Sequence, residues 1–113
     1  MAWLAAWLVA SPVVAVSAGA VDRSPSAYAQ AHYAYGVAQH CGLVTQGAEA
    51  GFERLERRLA AEEGLDEEGR TNARIAAGIA FAMEYQNRGL GGSRPWCRTE
   101  GMEAVRRFET VPE

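Results

Sequence analysis

Two cysteines constrain this chain more than any other feature. Cys41 and Cys97 are the only ones in its 113 residues, and each falls on the apolar stripe of its own helical segment. Ala27, Ala31, Ala34, Ala38 and Cys41 recur at i, i+4, i+7 spacing, which is one face of a helix. Cys97, Gly101, Ala104, Val105 and Phe108 do the same near the C-terminus. The phase of each stripe is set by the neighbouring residues, yet both thiols share the inward side. A Cys41–Cys97 disulfide is therefore expected to tie the end of the first helix to the start of the last. In the chain-entropy description a loop of this length is worth about 4 kcal/mol. That is large beside the roughly 5 kcal/mol that a small domain holds in total. No CxxC pair is present, so dithiol redox chemistry is not indicated. Cys41 and His40 are adjacent in a helix and point about 100° apart, so they do not form a thiol–imidazole pair.

A disulfide implies an oxidising compartment, and the N-terminus agrees. Met1 to Val21 carries no charged side chain. Trp3 to Val16 reads as the apolar core of a signal peptide, interrupted by Pro12, and Ala18-Gly19-Ala20 supplies the small residues a signal peptidase accepts. The expectation is a cleaved signal peptide at residues 1–20 and a mature small helical domain at 21–113, periplasmic or extracellular. No basic residue precedes the apolar run. The rival is an uncleaved anchor, because the run is long enough to span a bilayer; membrane association is expected only in that case.

The remainder predicts an all-α fold, a small four-helix bundle with one disulfide. Ser24-Pro25 reads as a capped start for the first helix, which runs to about Cys41 with Gly42 as its stop. No residue from Ser24 to Ala48 carries a formal charge, and a helix apolar on all sides is central to its domain or covered by a partner. Thr45 caps a second helix ending near Glu63, with Ala48, Phe52, Leu55 and Leu59 inward. Asp66 caps a third, which runs to Arg88. Its middle, Ile75 to Met83, is uncharged and reads as the central core helix, with Ile75, Ile79 and Met83 buried. Pro95 opens the fourth.

Charge and motifs exclude more functions than they suggest. The net charge is −3 and all eleven basic residues are arginine, with no concentrated basic face for nucleic acid. His32 and His40 lie more than two turns apart, about 12 Å along a helix, too far for one metal ion. The acids around residues 62–68 lack the alternating oxygen ligands of a calcium loop. No GxSxG, HExxH, CxxCH or dinucleotide-binding fingerprint occurs. Neither a catalytic residue, a cofactor nor a metal is expected, and the chain reads as a non-catalytic protein-interaction module with a protein partner or a second copy. The aromatic stripe Tyr28, His32 and Tyr35 is the expected partner-binding face, left at the rim beside the alanine seam. A weaker candidate is the glycine-rich connection from Arg88 to Trp96, where Arg88, Arg94 and Trp96 precede a helix start and could receive an anion, small ligand or substrate. In plan alone (export, size, helices, one disulfide) the chain resembles the small acid-stress chaperones of the bacterial periplasm. That resemblance covers architecture and no motif. It implies a pH-responsive holdase as an alternative.

Overall fold

A computed structural model describes residues 26–88 and 92–113. The expected signal peptide, its cleavage site and residues 89–91 of the glycine-rich connection lie outside the described residues. All regular structure among the described residues is helical, in the order α1 (Ala27–His40), α2 (Gln46–Glu62) and α3 (Glu67–Arg88), followed by a fourth helix in three consecutive parts. These are α4 (Ser93–Trp96), a π-helical turn (Cys97–Gly101) and α5 (Met102–Glu109).

Local chemistry accounts for the ends. Ser26, rather than Ser24, caps α1: its hydroxyl accepts from the Ala29 N–H at 3.1 Å. Thr45 caps α2 through the Ala48 N–H at 3.1 Å, and the Asp66 carboxylate accepts from the Gly69 N–H at 2.7 Å at the head of α3. Each satisfies a backbone donor that the first turn leaves orphaned. Gly42 and Gly64 take φ of +67° and +62° just past α1 and α2, the left-handed stop that glycine adopts without strain. The fourth helix starts at Ser93, not at Pro95. Proline is tolerated inside its first turn because the missing N–H has no helical acceptor there.

The centre of the bundle is α1. It packs against α2, α3, the π turn and α5, while α2 packs along α5 and α3 lies along α1. One core forms between α1, α2 and α5 from Ala31, Ala38, Ala48, Phe52, Ala104, Val105 and Phe108. Leu43, Val44, Leu55 and Leu59 close over it. A second, aromatic cluster joins the far end of α1 to α3 and α4, with His40 in ring contact with Phe81, Tyr85 and Trp96 at 5.6, 5.4 and 5.7 Å. Between the two sits the Cys41–Cys97 disulfide, with Cα atoms 5.5 Å apart. A Cβ on Gly101 would lie 3.1 Å from the Cys41 sulfur, so the π turn brings bare backbone onto the crosslink.

This overturns the reading of α3 as the core helix. Only Ala77 on α3 is buried, while Ile75, Ile79 and Met83 are 56, 57 and 60% exposed. The cause lies in the long-range contacts. The disulfide holds α1 to the fourth helix and α2 packs along α5, so α1 is surrounded. By contrast, α3 packs along α1 and meets the fourth helix only at its end, through Phe81 and Arg88 on Trp96.

Candidate functional site

The aromatic stripe of α1 is buried at Tyr28 and partly buried at His32 and Tyr35. Tyr28 is completely buried, and its backbone N–H donates to the Glu63 carboxylate at 3.1 Å. Tyr35 stacks on Phe52 at 4.0 Å between centroids and meets the Phe108 ring at 5.8 Å. The His32 ring lies 4.7 Å from Tyr28 and edge-on to Phe52 at 5.1 Å, with Nε2 2.8 Å from Glu56 Oε2. The expectation of an exposed stripe is corrected at Tyr28, while His32 and Tyr35 pack on Phe52 and keep part of their surface open. Phe52 covers the stripe because the alanine seam lets α2 come close. Burial lowers the His32 pKa from its ordinary 6.5; Glu56 opposes that shift and Arg74 adds to it. Burial, then the nearby Glu49 and Glu53, raise the Tyr35 phenol.

The Arg88–Trp96 group is also turned to structural use. Trp96 is buried and its indole N–H donates to Glu100. The Arg88 guanidinium sits 4.8 Å over the Trp96 ring, 2.8 Å from Glu84 and 3.5 Å from Glu100. Two carboxylates already answer its charge, so an added anion would compete with both. Arg94 is exposed and has no place in this cluster. The arrangement pins the end of α3 onto α4.

What the tertiary structure leaves open is the far side of α3. Ile75, Ile79 and Met83 follow one another at i, i+4, i+8 and stand more than half exposed; Tyr85 lies round the helix towards α1, its ring 5.4 Å from that of His40. Between Arg74 and Glu84 no residue bears a charge. A Cβ on Gly78 would meet no atom within 4 Å, so the face has a notch next to its largest side chains. On the flank towards α1, Ala76 and Ala80 form one wall of an apolar groove of about 190 Å³, closed by Ala29 and Tyr33. Sequence reasoning found this apolar run but assigned it to the core. A distinguishing signal was available in Asn72 and Gln86, polar residues in line with Ile75 and Ile79 on the same helical face.

A second groove, of about 180 Å³, runs between α1 and the fourth helix beside Tyr33, Glu100, Glu103 and Arg107. Burial, then Glu100 and Glu84, push the Tyr33 phenol up, which keeps it a neutral hydrogen-bonding group. Among the described residues no three His, Cys, Asp or Glu side chains converge on a position for a metal ion, and no helix is long and apolar enough to cross a membrane. No protein-family model, curated protein or solved structure matches the chain.

Proposed function

We propose that this chain is an exported, non-catalytic protein-interaction module and that its docking face is the outward side of α3. The observation carrying this reading is the exposure of Ile75, Ile79 and Met83 along one side of a helix that is capped at its start and packed on α1 by its other side. Isolated apolar side chains on a surface need no explanation, but a contiguous uncharged face marks an interaction site. Covering the exposed half of each large aliphatic side chain is worth about 1 kcal/mol. The i, i+4, i+8 spacing is the pattern by which an amphipathic helix meets a groove or a second helix. Export is supported by the disulfide, which persists in oxidising compartments, and by the apolar start of the chain.

The test uses a photo-crosslinking residue at position 79 in the native host, with position 57 on the charged side of α2 as control. A protein adduct is expected from 79 and not from 57. Equal yields, or no adduct at 79, overturn the docking face.

A further inference from the structure

We infer that Arg54 and Arg58 of α2 form a receptor for the C-terminal carboxylate of a peptide, and that the chain's own residues 110–113 lie across it as a displaceable strap. This site is independent of the α3 face.

Arg54 Nη2 donates to the carbonyl oxygen of Val111 at 2.9 Å. Arg58, one helical turn further on, donates from Nη2 to the carbonyl oxygen of Pro112 at 2.5 Å. Among the described residues no carboxylate pairs with either guanidinium. That includes Glu53, next to Arg54 in the chain, and Glu113, next to Pro112. Arg54 is half-buried, and its Nε is closed off from solvent with no acceptor. Nε and Nη2 donate from the same edge of a guanidinium, and that edge takes both oxygens of one carboxylate in two parallel hydrogen bonds. A peptide carbonyl offers a single uncharged oxygen, so Val111 fills half of the fork and leaves the positive charge unanswered. A buried donor without an acceptor carries its full desolvation penalty. The second oxygen and the negative charge that the strap fails to supply are what a carboxylate brings.

The spacing selects a chain end. Residues 54 and 58 stand about 6 Å apart along α2, and the strap meets them with the carbonyls of two successive residues. The last residue of an extended peptide presents a matching pair, a carbonyl followed by a carboxylate. Its carboxylate takes the Arg54 fork and the preceding carbonyl takes Arg58, so the peptide runs opposite to the strap. The strap itself is lightly held. Residues 111–113 have no regular secondary structure, Pro112 has no N–H to donate, and the hydrogen bonds to α2 are those two. The others, such as Thr110 Oγ1 to the Arg107 carbonyl and the Val111 N–H to the Phe108 carbonyl, close the end of α5. A tethered strap competes at an effective concentration in the millimolar range. The peptide therefore binds the resting chain with a dissociation constant on the order of millimolar or above.

Nuclear magnetic resonance on the full oxidised chain reads the site directly, through the Arg54 Nε–H and the Val111 backbone N–H. The probes are acetyl-Gly-Val as the free acid and as its C-terminal amide, at matched ionic strength. The acid is expected to shift the Arg54 Nε–H saturably while the Val111 signal moves to a coil position. The amide should bind about tenfold more weakly or worse. Arg54→Lys keeps the charge but loses the fork, and should weaken the acid about tenfold; the exposed Arg58→Gln should weaken it as well. Arg106→Lys on α5 should change nothing. Val111→Gly removes the half-buried side chain that seats the strap, and should tighten acid binding several-fold. Equal response to acid and amide, a shift that never saturates, or acid binding untouched by both Arg54→Lys and Arg58→Gln overturns the receptor. Unchanged or weaker binding by the Val111→Gly variant overturns the strap.

Discussion

A methyl group added at Gly51 would lie 1.8 Å from the Phe108 carbonyl oxygen, whereas one added at Gly78 would meet nothing within 4 Å. Both glycines are inside helices, where alanine is intrinsically better by about 1 kcal/mol. At Gly78 that gain is free, and Gly78→Ala should raise monomer stability by up to about 1 kcal/mol in urea unfolding. At Gly51 the opposing atom is backbone, so α2 and α5 must separate. Gly51→Ala should cost about 1–3 kcal/mol despite the better propensity. His32 carries a pH dependence of definite sign. Its folded pKa is lowered from 6.5, chiefly by burial, so the unfolded chain takes up the proton first as pH falls. The stability that neutral His32 allows is complete above 6.5 and declines as pH drops from there through the folded pKa. His32→Gln should flatten that segment of a stability–pH curve. An unchanged slope would place the acid sensitivity elsewhere.

At the level of elements, α1 takes the central place that was one of the two open to it, and α3 loses the core position expected of it. Both are apolar over most of their circumference, and the periodic pattern that defines an inward face is weak in each. Tyr28, expected at a rim, is fully buried; Ile79, expected in the core, is 57% exposed. The mutational consequences reverse accordingly. Tyr28→Ala should destabilise by about 3–5 kcal/mol, as aromatic truncations in cores do. Ile79→Asp should leave stability within about 1 kcal/mol of wild type, as a substitution at an exposed site away from caps and charge networks. Thermal melts of the two variants at low concentration check both outcomes. Where an element has a clear polar side, sequence and structure agree. Ala48 and Phe52 of α2 are buried, with Leu55 and Leu59 against them, and Ala104, Val105 and Phe108 of α5 are buried. The charged residues on the opposite sides of these helices leave only one face to bury.

In the whole molecule, the disulfide closes a loop of sequence separation 56 and holds α1 against the fourth helix. Its removal by the paired substitutions Cys41→Ser and Cys97→Ser should cost about 4 kcal/mol. In a domain of this size that lowers the melting temperature on the order of 15 °C or more. The loss should be felt first where α1, α4 and the π turn meet, read as faster amide exchange at Val37 to Cys41 than at the middle of α2. Uniform acceleration along α1 and α2 would show that the bundle unfolds as one unit.

The sequence alone determined the helices, two of their caps, the Gly42 stop and the inward phase of each cysteine, because each depends on residues within a turn or two of one another. With only two cysteines, their pairing followed from that shared phase. A hydroxyl or carboxylate three residues ahead of an orphan N–H, or a glycine where the chain must turn left-handed, acts the same way in any surroundings. The burial of the stripes on α2 and α5 was legible for the same reason, since charge on one side dictates the other. Only the tertiary structure decided which uncharged helix is surrounded. That choice rests on long-range contacts: the disulfide holds the fourth helix to α1, and α2 packs along both α1 and α5. Among the described residues no element covers the outer side of α3, where Ile75, Ile79 and Met83 stand more than half exposed. Its apolar residues therefore form a surface instead of a core.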